Sequence, residues 1–299
     1  DRYPRTLERD CEMLASRGCD LVFAPDEKEL YPQPQTFKVH PDPALADILE
    51  GHFRPGFFTG VCTVVMKLLS CVQPDVAIFG QKDYQQWRIM ERLVNQFALP
   101  LQIVGEPTCR AEDGLALSSR NAYLNPTERV QAAQLSTQLR QIAEALRSGA
   151  TDTSTLEAQA TQTLNDQGWK VDYVTVRRRM DLLPPAPGEA LAGACVVLAA
   201  ARMGQTRLIG VLGSHRADHL AALGFGRERG CSRHQVLREG GGQPDGKARC
   251  QQGAHRRRQT AQDQGQYQQR RLDQDDVAAV VAITERGEQQ DAQAVAELG

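Results

Sequence analysis

The sequence lacks the long apolar run that a membrane-spanning helix needs. Nowhere in its 299 residues do about 18 apolar residues follow one another. The start of the chain also lacks the basic, apolar and small-residue succession of a signal peptide. These absences argue against a membrane or secreted protein, and we expect a cytoplasmic one.

The sequence also lacks an excess of charge of either sign and lacks closely spaced cysteines. The formal net charge is -2, from 35 basic and 37 acidic residues, so charge indicates neither nucleic acid nor a membrane surface as a partner. The eight cysteines are scattered, mostly in apolar surroundings, unlike the framework of a disulfide-rich domain. This usage is typical of a reducing compartment.

An alternation of apolar strands with amphipathic helices fills residues 1–106. The pattern predicts strands at 21–24, 76–80 and 101–105, with helices near 7–14, at 60–72 and after 83. Such alternation is typical of a parallel α/β layer. Because the chain starts at Asp1 without Met, in the middle of a predicted element, we expect the chain to be truncated at its N-terminus.

Residues 107–210 show a different order of elements. A loop with the sequence DGLALSSRNAYL comes first, and two predicted helices follow at 126–148 and 153–167. Three predicted strands come after them, at 171–176, 194–203 and 206–210. Helices followed by antiparallel-type strands indicate a second, smaller α+β domain.

The segment 211–299 is rich in Gln and Arg and has little apolar periodicity outside 277–283. Such a composition buries too little apolar surface to offset the entropy of ordering, so we expect disorder. Cys231, His234, Cys250 and His255 include the residue types of a zinc site. Their spacing is not that of a standard finger and no apolar core accompanies them, so we assign no metal ligands.

Two other patterns in this segment also fall short of a function. Residues 241–247 fit G-x-x-x-x-G-K, but Ala248 stands where a phosphate loop needs Ser or Thr, and no strand or helix pattern flanks them. The Arg runs are interrupted by acidic residues and lack stacking aromatics, so they do not indicate a nucleic-acid partner.

The turn GQKD, residues 80–83, joins the predicted strand 76–80 to a helix. Ligands of open α/β sheets lie at the carboxyl ends of strands, beside helix N-termini. There Gly80 would let a ligand approach the backbone, Lys82 suits phosphate, and Asp83 can cap the helix or accept from a ribose hydroxyl. Gln86, one turn on, can reach the same ligand. The alternative is a plain helix cap beside a solvated lysine.

A second polar group lies in the loop DGLALSSRN. Ser118 and Ser119 can donate to phosphate oxygens, and Arg120 can hold two of them. The alternative is a turn that caps the next helix, although Asn125 or Thr127 offers a better cap. Together the two loops have the groups that hold a triphosphate and neutralise charge developing at its α-phosphate.

Four blocks, in order and at matching spacing over roughly residues 1–209, resemble the pantoate–β-alanine ligase family: YPRTLERDCEMLASRGCDLVFAPDEKELYP, RPGFFTGVCTVVMKLLSCVQPDVAIFGQKDYQQ, DGLALSSRNAYL and AARMGQTRLI. The resemblance implies a dinucleotide-fold parallel sheet of the HIGH-superfamily nucleotidyltransferase type, with a smaller α+β domain acting as a lid. It also implies a homodimer and the substrates ATP, with Mg²⁺, pantoate and β-alanine. Pantoyl adenylate and pyrophosphate would form first, and β-alanine would then attack the adenylate.

Carried over by position, the resemblance implies three groups of site residues. Residues that would contact ATP are Gly80, Gln81 (Glu in the family), Lys82, Asp83, Cys109, Leu117, Ser118, Ser119 and Arg120. Those that would stabilise the charge at the α-phosphate are Lys82, Ser118, Ser119 and Arg120. Those that match pantoate-pocket positions are Gln86, Tyr3, Thr63, Val64 and Val65.

The sequence departs from the family in three places. It lacks the first strand, the turn whose two histidines stabilise the ATP phosphates, and a second pantoate-binding glutamine; outside the tail its only histidines are His40 and His52. Phe57 replaces a histidine that lies beside the pocket in the family; the alternative interpretation is a tolerated change in packing. At Gly210, in place of Asp, the composition changes abruptly, which suggests a shifted reading frame. The open alternatives are a catalytically incomplete fragment and another nucleotidyltransferase of the superfamily, such as a cytidylyltransferase.

Overall fold

A computed structural model describes residues 7–213 and the backbone of residues 281–283. Several sequence-based predictions lie outside the described residues. These are the site residue Tyr3, the unassigned zinc set Cys231, His234, Cys250 and His255, the glycine-rich segment 241–248, and the disorder expected for most of 211–299.

Helices and strands alternate along the described chain. The helices are α1 Leu7–Ser16, α2 Glu27–Leu30, α3 Pro43–Ala46, α4 Glu50–Phe53, α5 Phe57–Val72, α6 Tyr84–Gln96, α7 Pro126–Arg147 and α8 Thr153–Asp166. The strands are β1 Leu21–Phe23, β2 Val76–Gly80, β3 Gln102–Glu106, β4 Lys170–Arg178, β5 Cys195–Met203, β6 Thr206–Gly213 and β7 Val281–Ile283. Two 3₁₀ turns cover Gln81–Asp83 and Ser119–Tyr123.

The described residues form two compact units, and neither is continuous in sequence. The first contains residues 7–78 and 89–104, and the second contains residues 79–88 and 105–213. This division differs from the predicted boundary at 106/107, because the start of α6 and the turn before it belong to the second unit. The assignment of separate nucleotide-binding and lid domains stays a prediction.

The parallel α/β layer expected from the alternating pattern is confirmed. Strands β2 and β3 pair with each other, and α6 connects them, as the crossover of a parallel pair requires. Strand β1 pairs antiparallel with the backbone of β7, with Leu21 opposite Ile283. No described helix is both long and apolar enough to cross a membrane.

Helix α5 forms the buried centre of the first unit. Its inward face carries Val61, Cys62 and Leu68, each at most 4 % exposed, at the spacing of one helix face. Thr63 is also buried but lies on another side of the helix; its hydroxyl donates to the Thr59 carbonyl at 2.7 Å and accepts from the Val39 N–H at 3.0 Å. Thr63 thereby fixes the preceding loop to the helix.

An antiparallel sheet packs against α7 in the second unit, which confirms the smaller α+β layer. Its strand order is β4-β5-β6. Residues 195–201 of β5 are all buried, and the alternate residues Cys195, Val197, Ala199 and Ala201 belong to the same core cluster as α7. Asn125 accepts from the Glu128 N–H at 2.9 Å in a capping box, so the predicted cap at Asn125 is confirmed. Strand β6 extends to Gly213, three residues beyond the predicted end, because β5 continues to offer a partner there.

Candidate active site

The turn Gly80–Asp83, called here the lysine loop, follows the carboxyl end of β2 directly. Gly80 has φ -69° and ψ 130°, a conformation open to any residue. A Cβ added to Gly80 would meet nothing within 4 Å. The described residues therefore leave space beside this backbone, and contact of Gly80 with a ligand stays a prediction.

Gln81 fixes the lysine loop to the neighbouring strand. Its Nε2 donates to the carbonyl of Gly105, near the end of β3, at 2.9 Å. Only the amide nitrogen can face a carbonyl oxygen in this way, because a carboxylate at the same place has no proton to donate. The structure therefore gives Gln81 an anchoring contact that the sequence did not predict.

Lys82 and Gln86 carry polar groups that the described residues leave without partners. No hydrogen bond or ion pair of either side chain occurs within residues 7–213. Both side chains are half-buried, whereas Asp83 is exposed and immediately precedes the first residue of α6. An ammonium and an amide are thus available near one helix start, the arrangement expected for anion binding.

The segment Leu117–Arg120, called here the serine loop, is held by its own backbone. Leu117 donates its N–H to the Cys109 carbonyl at 2.9 Å, so these two predicted ATP contacts lie side by side. Ser118 accepts from the Arg120 N–H at 3.2 Å and caps the following 3₁₀ turn. The hydroxyl proton of Ser118 is still able to point towards a ligand, because that contact uses only an oxygen lone pair.

Arg110 links the segment before the serine loop to β6. Its guanidinium donates to the Gly114 carbonyl at 3.1 Å and to the Val211 carbonyl of β6 at 2.6 Å. Burial, and then repulsion from Arg140, lowers the pKa of Arg110. Gly114 has φ +89°, and a Cβ there would collide with the Arg140 guanidinium. The loop geometry thus depends on a glycine beside two arginines.

Both loops pack against the same strand. The 3₁₀ turn Gln81–Asp83 and the 3₁₀ turn Ser119–Tyr123 each contact β6. The sequence predicted two separate polar groups, one after a strand and one in a loop; the fold brings them to a common support. Contact with β6 was not predictable from either motif, since β6 lies more than 80 residues further along the chain.

The first turns of α6 are held in place by the segment that follows β4. Tyr84, 4 % exposed, donates to the Arg179 carbonyl at 3.4 Å. Arg88 donates to the Met180 carbonyl at 3.1 Å. These contacts, which the sequence did not indicate, restrict the helix that carries Gln86.

The predicted pantoate-wall residues of α5 lie in the first unit. Thr63 is buried and its hydroxyl is engaged with Thr59 and Val39. Val65 is 5 % exposed and belongs to the core, whereas Val64 is only half-buried. Of the three, Val64 offers the most side-chain surface. Their contact with pantoate stays a prediction.

Phe57, which stands where the related family has histidine, packs against a cation. The Arg54 guanidinium lies 3.7 Å from the centre of the Phe57 ring, within the range of a cation–π contact.

His40 Nδ1 lies 3.3 Å from the Thr59 hydroxyl, and the His52 ring contacts Phe53 edge to face. Neither histidine belongs to a cluster of metal-ligating side chains, and residues 7–213 contain no such cluster.

Glu106 is a residue near these loops that sequence reasoning missed. It closes β3 immediately after Gly105, and its side chain is half-buried. Burial raises the pKa of the Glu106 carboxyl. The signal in the sequence is a single acidic residue at the end of the apolar strand LQIVGE, directly before Pro107.

Comparison with known proteins agrees with this geometry. The family model for pantoate-beta-alanine ligase matches residues 1–212. A pantothenate synthetase of Leptothrix cholodnii is 66% identical over 210 residues, which cover 70% of this chain and 73% of that protein. A pantothenate synthetase of Paracidovorax citrulli is 57% identical over 214 residues, covering 70% and 76%.

Solved structures show the same relationship. Pantothenate synthetase from Thermus thermophilus superposes with a TM-score of 0.67 at 39% identity, covering 72% of this chain and 77% of that one. Pantoate-beta-alanine ligase from Francisella tularensis, complexed with Beta-gamma ATP and β-alanine, gives 0.57 at 32% identity, covering 71% of each. The fold and the paired loops define a nucleotidyltransferase-like α/β protein of the Rossmann-like type with a smaller α+β part. Within that class, the chain belongs to the pantoate–β-alanine ligase family.

Proposed function

We propose that this chain binds ATP and pantoate at the lysine and serine loops and condenses pantoate with β-alanine through a pantoyl adenylate. The observation that carries the proposal is the packing of both loops against β6. An ammonium, two hydroxyls and a guanidinium are thereby presented from one support, as transfer at an α-phosphate needs.

The first step joins the pantoate carboxylate to the α-phosphorus of ATP. A carboxylate oxygen forms the new P–O bond, the bond between the α-phosphorus and the bridging oxygen breaks, and pyrophosphate leaves with the electron pair. Lys82, Ser118, Ser119 and Arg120 are proposed to stabilise the charge on the phosphate oxygens. The contacts of both turns with β6 support the backbone that carries these side chains.

The second step transfers the pantoyl group to β-alanine. The neutral amine attacks the carbonyl carbon of the adenylate, the C–O bond to the phosphate breaks, and AMP leaves. The amine loses a proton as the amide forms. The products are pantothenate and AMP.

The remaining contacts are proposed by position. Gly80, Gln81, Asp83, Cys109 and Leu117 would line the ATP site. Gln86, whose amide has no partner within residues 7–213, would donate to pantoate. Tyr3 and the α5 residues Thr63, Val64 and Val65 would form the pantoate wall. Among the α5 residues Val64 is the best placed to contact substrate, because its side chain is not fully covered.

The described residues do not form a metal cage for Mg²⁺. No group of three or more His, Cys, Asp or Glu side chains lies close enough together within residues 7–213. We therefore propose that Mg²⁺ accompanies ATP on its phosphate oxygens, a usual mode of binding for this ion. A homodimer and a cytoplasmic location complete the proposal; light scattering of the purified chain tests the dimer.

A catalytically incomplete protein is the second candidate, and pyrophosphate exchange separates it from the first. A different nucleotidyltransferase is less well supported, because the lysine loop, the serine loop and the family match occur together.

Pantoate-dependent exchange of labelled pyrophosphate into ATP tests the first step directly. We expect exchange by the full 299-residue chain and its loss, by about 100-fold or more, in Lys82→Ala, since removal of a single stabilising donor costs this much. Lys28→Ala, on the short helix α2, is the matched control and should retain exchange. Absence of exchange from a folded sample would favour the catalytically incomplete protein.

A further inference from the structure

Residues 109–117, called here the arginine hairpin, lead into the serine loop. Leu117 donates its N–H to the Cys109 carbonyl at 2.9 Å, and Arg110 pairs with Ala116 in antiparallel fashion. The predicted ATP contacts Cys109 and Leu117 therefore stand at the open end of the hairpin, and its turn stands at the other end. A ligand at the turn would occupy a place apart from the proposed ATP site.

The turn of the arginine hairpin brings two guanidinium groups together at Gly114. Arg110 donates to the Gly114 carbonyl at 3.1 Å and to the Val211 carbonyl of β6 at 2.6 Å. Arg140, on α7, lies directly against the same glycine, because a Cβ added there would be 2.2 Å from its Nη2 atom and 3.2 Å from its Cζ atom. Burial, and then repulsion from Arg140, lowers the pKa of Arg110, which agrees with their closeness.

Neither guanidinium is paired with a carboxylate within residues 7–213. Both hydrogen bonds of Arg110 go to backbone carbonyls, and Arg140 donates to the Ser136 hydroxyl at 3.2 Å. A guanidinium has more N–H groups than these bonds use, so most of the donors of each side chain have no acceptor among the described residues. The Arg110 Nε is one of them, and it is not fully buried.

The acidic residues beside the turn do not offset these charges. Asp113 accepts from Arg129 of α7 through both carboxylate oxygens, so this carboxylate already has a cation of its own. Glu112 is exposed and takes part in no ion pair within the described residues. A half-buried guanidinium close to a second one is costly to keep without an anion. The pair is therefore a candidate anion site.

We propose that Arg110 and Arg140 bind a tetrahedral phosphate dianion at the turn of the arginine hairpin. A guanidinium suits phosphate because it can donate two parallel N–H bonds to a pair of oxygens. The bound anion would join the hairpin to α7 and offset the repulsion between the two side chains. Arg140 is exposed, so one side of the anion would stay open to solvent. Inorganic phosphate and the phosphoryl group of a small metabolite share this chemistry, and the site does not depend on the proposed reaction.

Calorimetric titration with inorganic phosphate tests the site in the full chain carrying Lys82→Ala, which removes the phosphate contact of the proposed ATP site. At constant ionic strength we expect binding, and an affinity lower by about 10-fold or more when Arg140→Gln is added, since hydrogen bonds to charged groups are strong. Arg147→Gln is the matched control and should keep the affinity, because Arg147 lies on the same helix but is paired with Glu144. Chloride at equal ionic strength should not replace phosphate.

The unfolding temperature of the same proteins gives a second readout. Phosphate should raise it in the Lys82→Ala chain relative to chloride, because the ligand binds only the folded state. Without phosphate, addition of Arg140→Gln should leave the unfolding temperature unchanged or raise it, since the repulsion from Arg110 is removed. With phosphate, the Arg140→Gln protein should gain little.

Glycerol phosphate, titrated in the same way, identifies the source of the anion. Tighter binding than that of inorganic phosphate indicates a phosphorylated metabolite, and equal or weaker binding indicates the free ion. The proposal is overturned if the folded Lys82→Ala chain binds no phosphate, or if Arg140→Gln keeps the affinity. An equal loss in the Arg147→Gln control would also overturn it, as would a lower unfolding temperature of Arg140→Gln with unchanged phosphate affinity, which would show a merely structural arginine.

Discussion

At the scale of single residues, Gln81 shows how one side chain can fix the backbone of a candidate site. Its amide joins the turn that carries Lys82 to the backbone of Gly105. The related family motif has Glu at this position, which cannot make the same contact. In this chain the amide therefore has a positional role that the family pattern alone would not suggest.

Gln81→Glu tests that role. The substitution places a carboxylate against the Gly105 carbonyl, so a hydrogen bond is lost and two acceptors face each other. We expect unfolding to become easier by about 1–2 kcal/mol, measured by urea denaturation at neutral pH. Gln81→Ala removes the donor without adding charge, so it should lower the free energy of unfolding by less than Gln81→Glu does. Equal stability of the parent chain and both variants would contradict the anchoring role.

Residue types alone predicted part of the site. Lys82, Ser118, Ser119 and Arg120 were identifiable because their side chains suit phosphate, and the structure shows Lys82 without a partner in the described residues. Glu106 was missed because its significance depends on what surrounds it. Its burial and the anchor at Gly105 come from chain segments that are distant in sequence.

At the scale of elements, α6 and β3 meet where a glycine is required. A Cβ added to Gly105 would lie 2.6 Å from Cζ2 and 2.8 Å from Nε1 of Trp87. The Trp87 ring is 9% exposed, and its buried Nε1 has no hydrogen-bond partner among residues 7–213. Trp87 therefore occupies the space that any other residue at position 105 would need.

Gly105→Ala should destabilise the chain by about 1–3 kcal/mol, because the added methyl overpacks the contact. In a Trp87→Leu background the same substitution should cost little, since the smaller side chain leaves room. Urea denaturation of the parent chain, the two single variants and the double variant gives the coupling energy between positions 105 and 87, expected at about 1 kcal/mol or more. Additive costs would show that the glycine is required for another reason.

The order of elements was predictable, but their ends and contacts were less so. Apolar runs separated by amphipathic periodicity identified β2, α6 and β3 from sequence. The end of β6 was placed three residues early, because its extension depends on pairing with β5 and not on local composition. The capping box at Asn125 was predictable, since it is purely local.

At the scale of the whole molecule, cysteine reactivity reports whether the fold is intact. Cys62 is 1 % exposed and burial raises the pKa of its thiol to about 12. Burial likewise raises the pKa of Cys195, which lies under α7. Cys71 is exposed at the end of α5.

Treatment with iodoacetamide at about pH 8, followed by peptide mass spectrometry, should alkylate Cys71 within minutes and leave Cys62 and Cys195 unmodified, because only accessible thiolate reacts. In denaturant all three should react. Alkylation of Cys62 at the rate of Cys71 in the native protein would mean that the buried face of α5 opens readily. Cys71→Ser is the control that assigns the fast reaction.

The course of the chain through its two units has a consequence for synthesis. Because the backbone leaves the first unit at residue 78 and returns at 89, then leaves again after 104, a nascent chain cannot complete either unit in one uninterrupted stretch. The ribosome therefore synthesises the lysine loop before it has synthesised residues 89–104, which complete the described part of the first unit. A single backbone cut therefore cannot separate the two units, and their separation requires at least a cut on each side of residues 79–88.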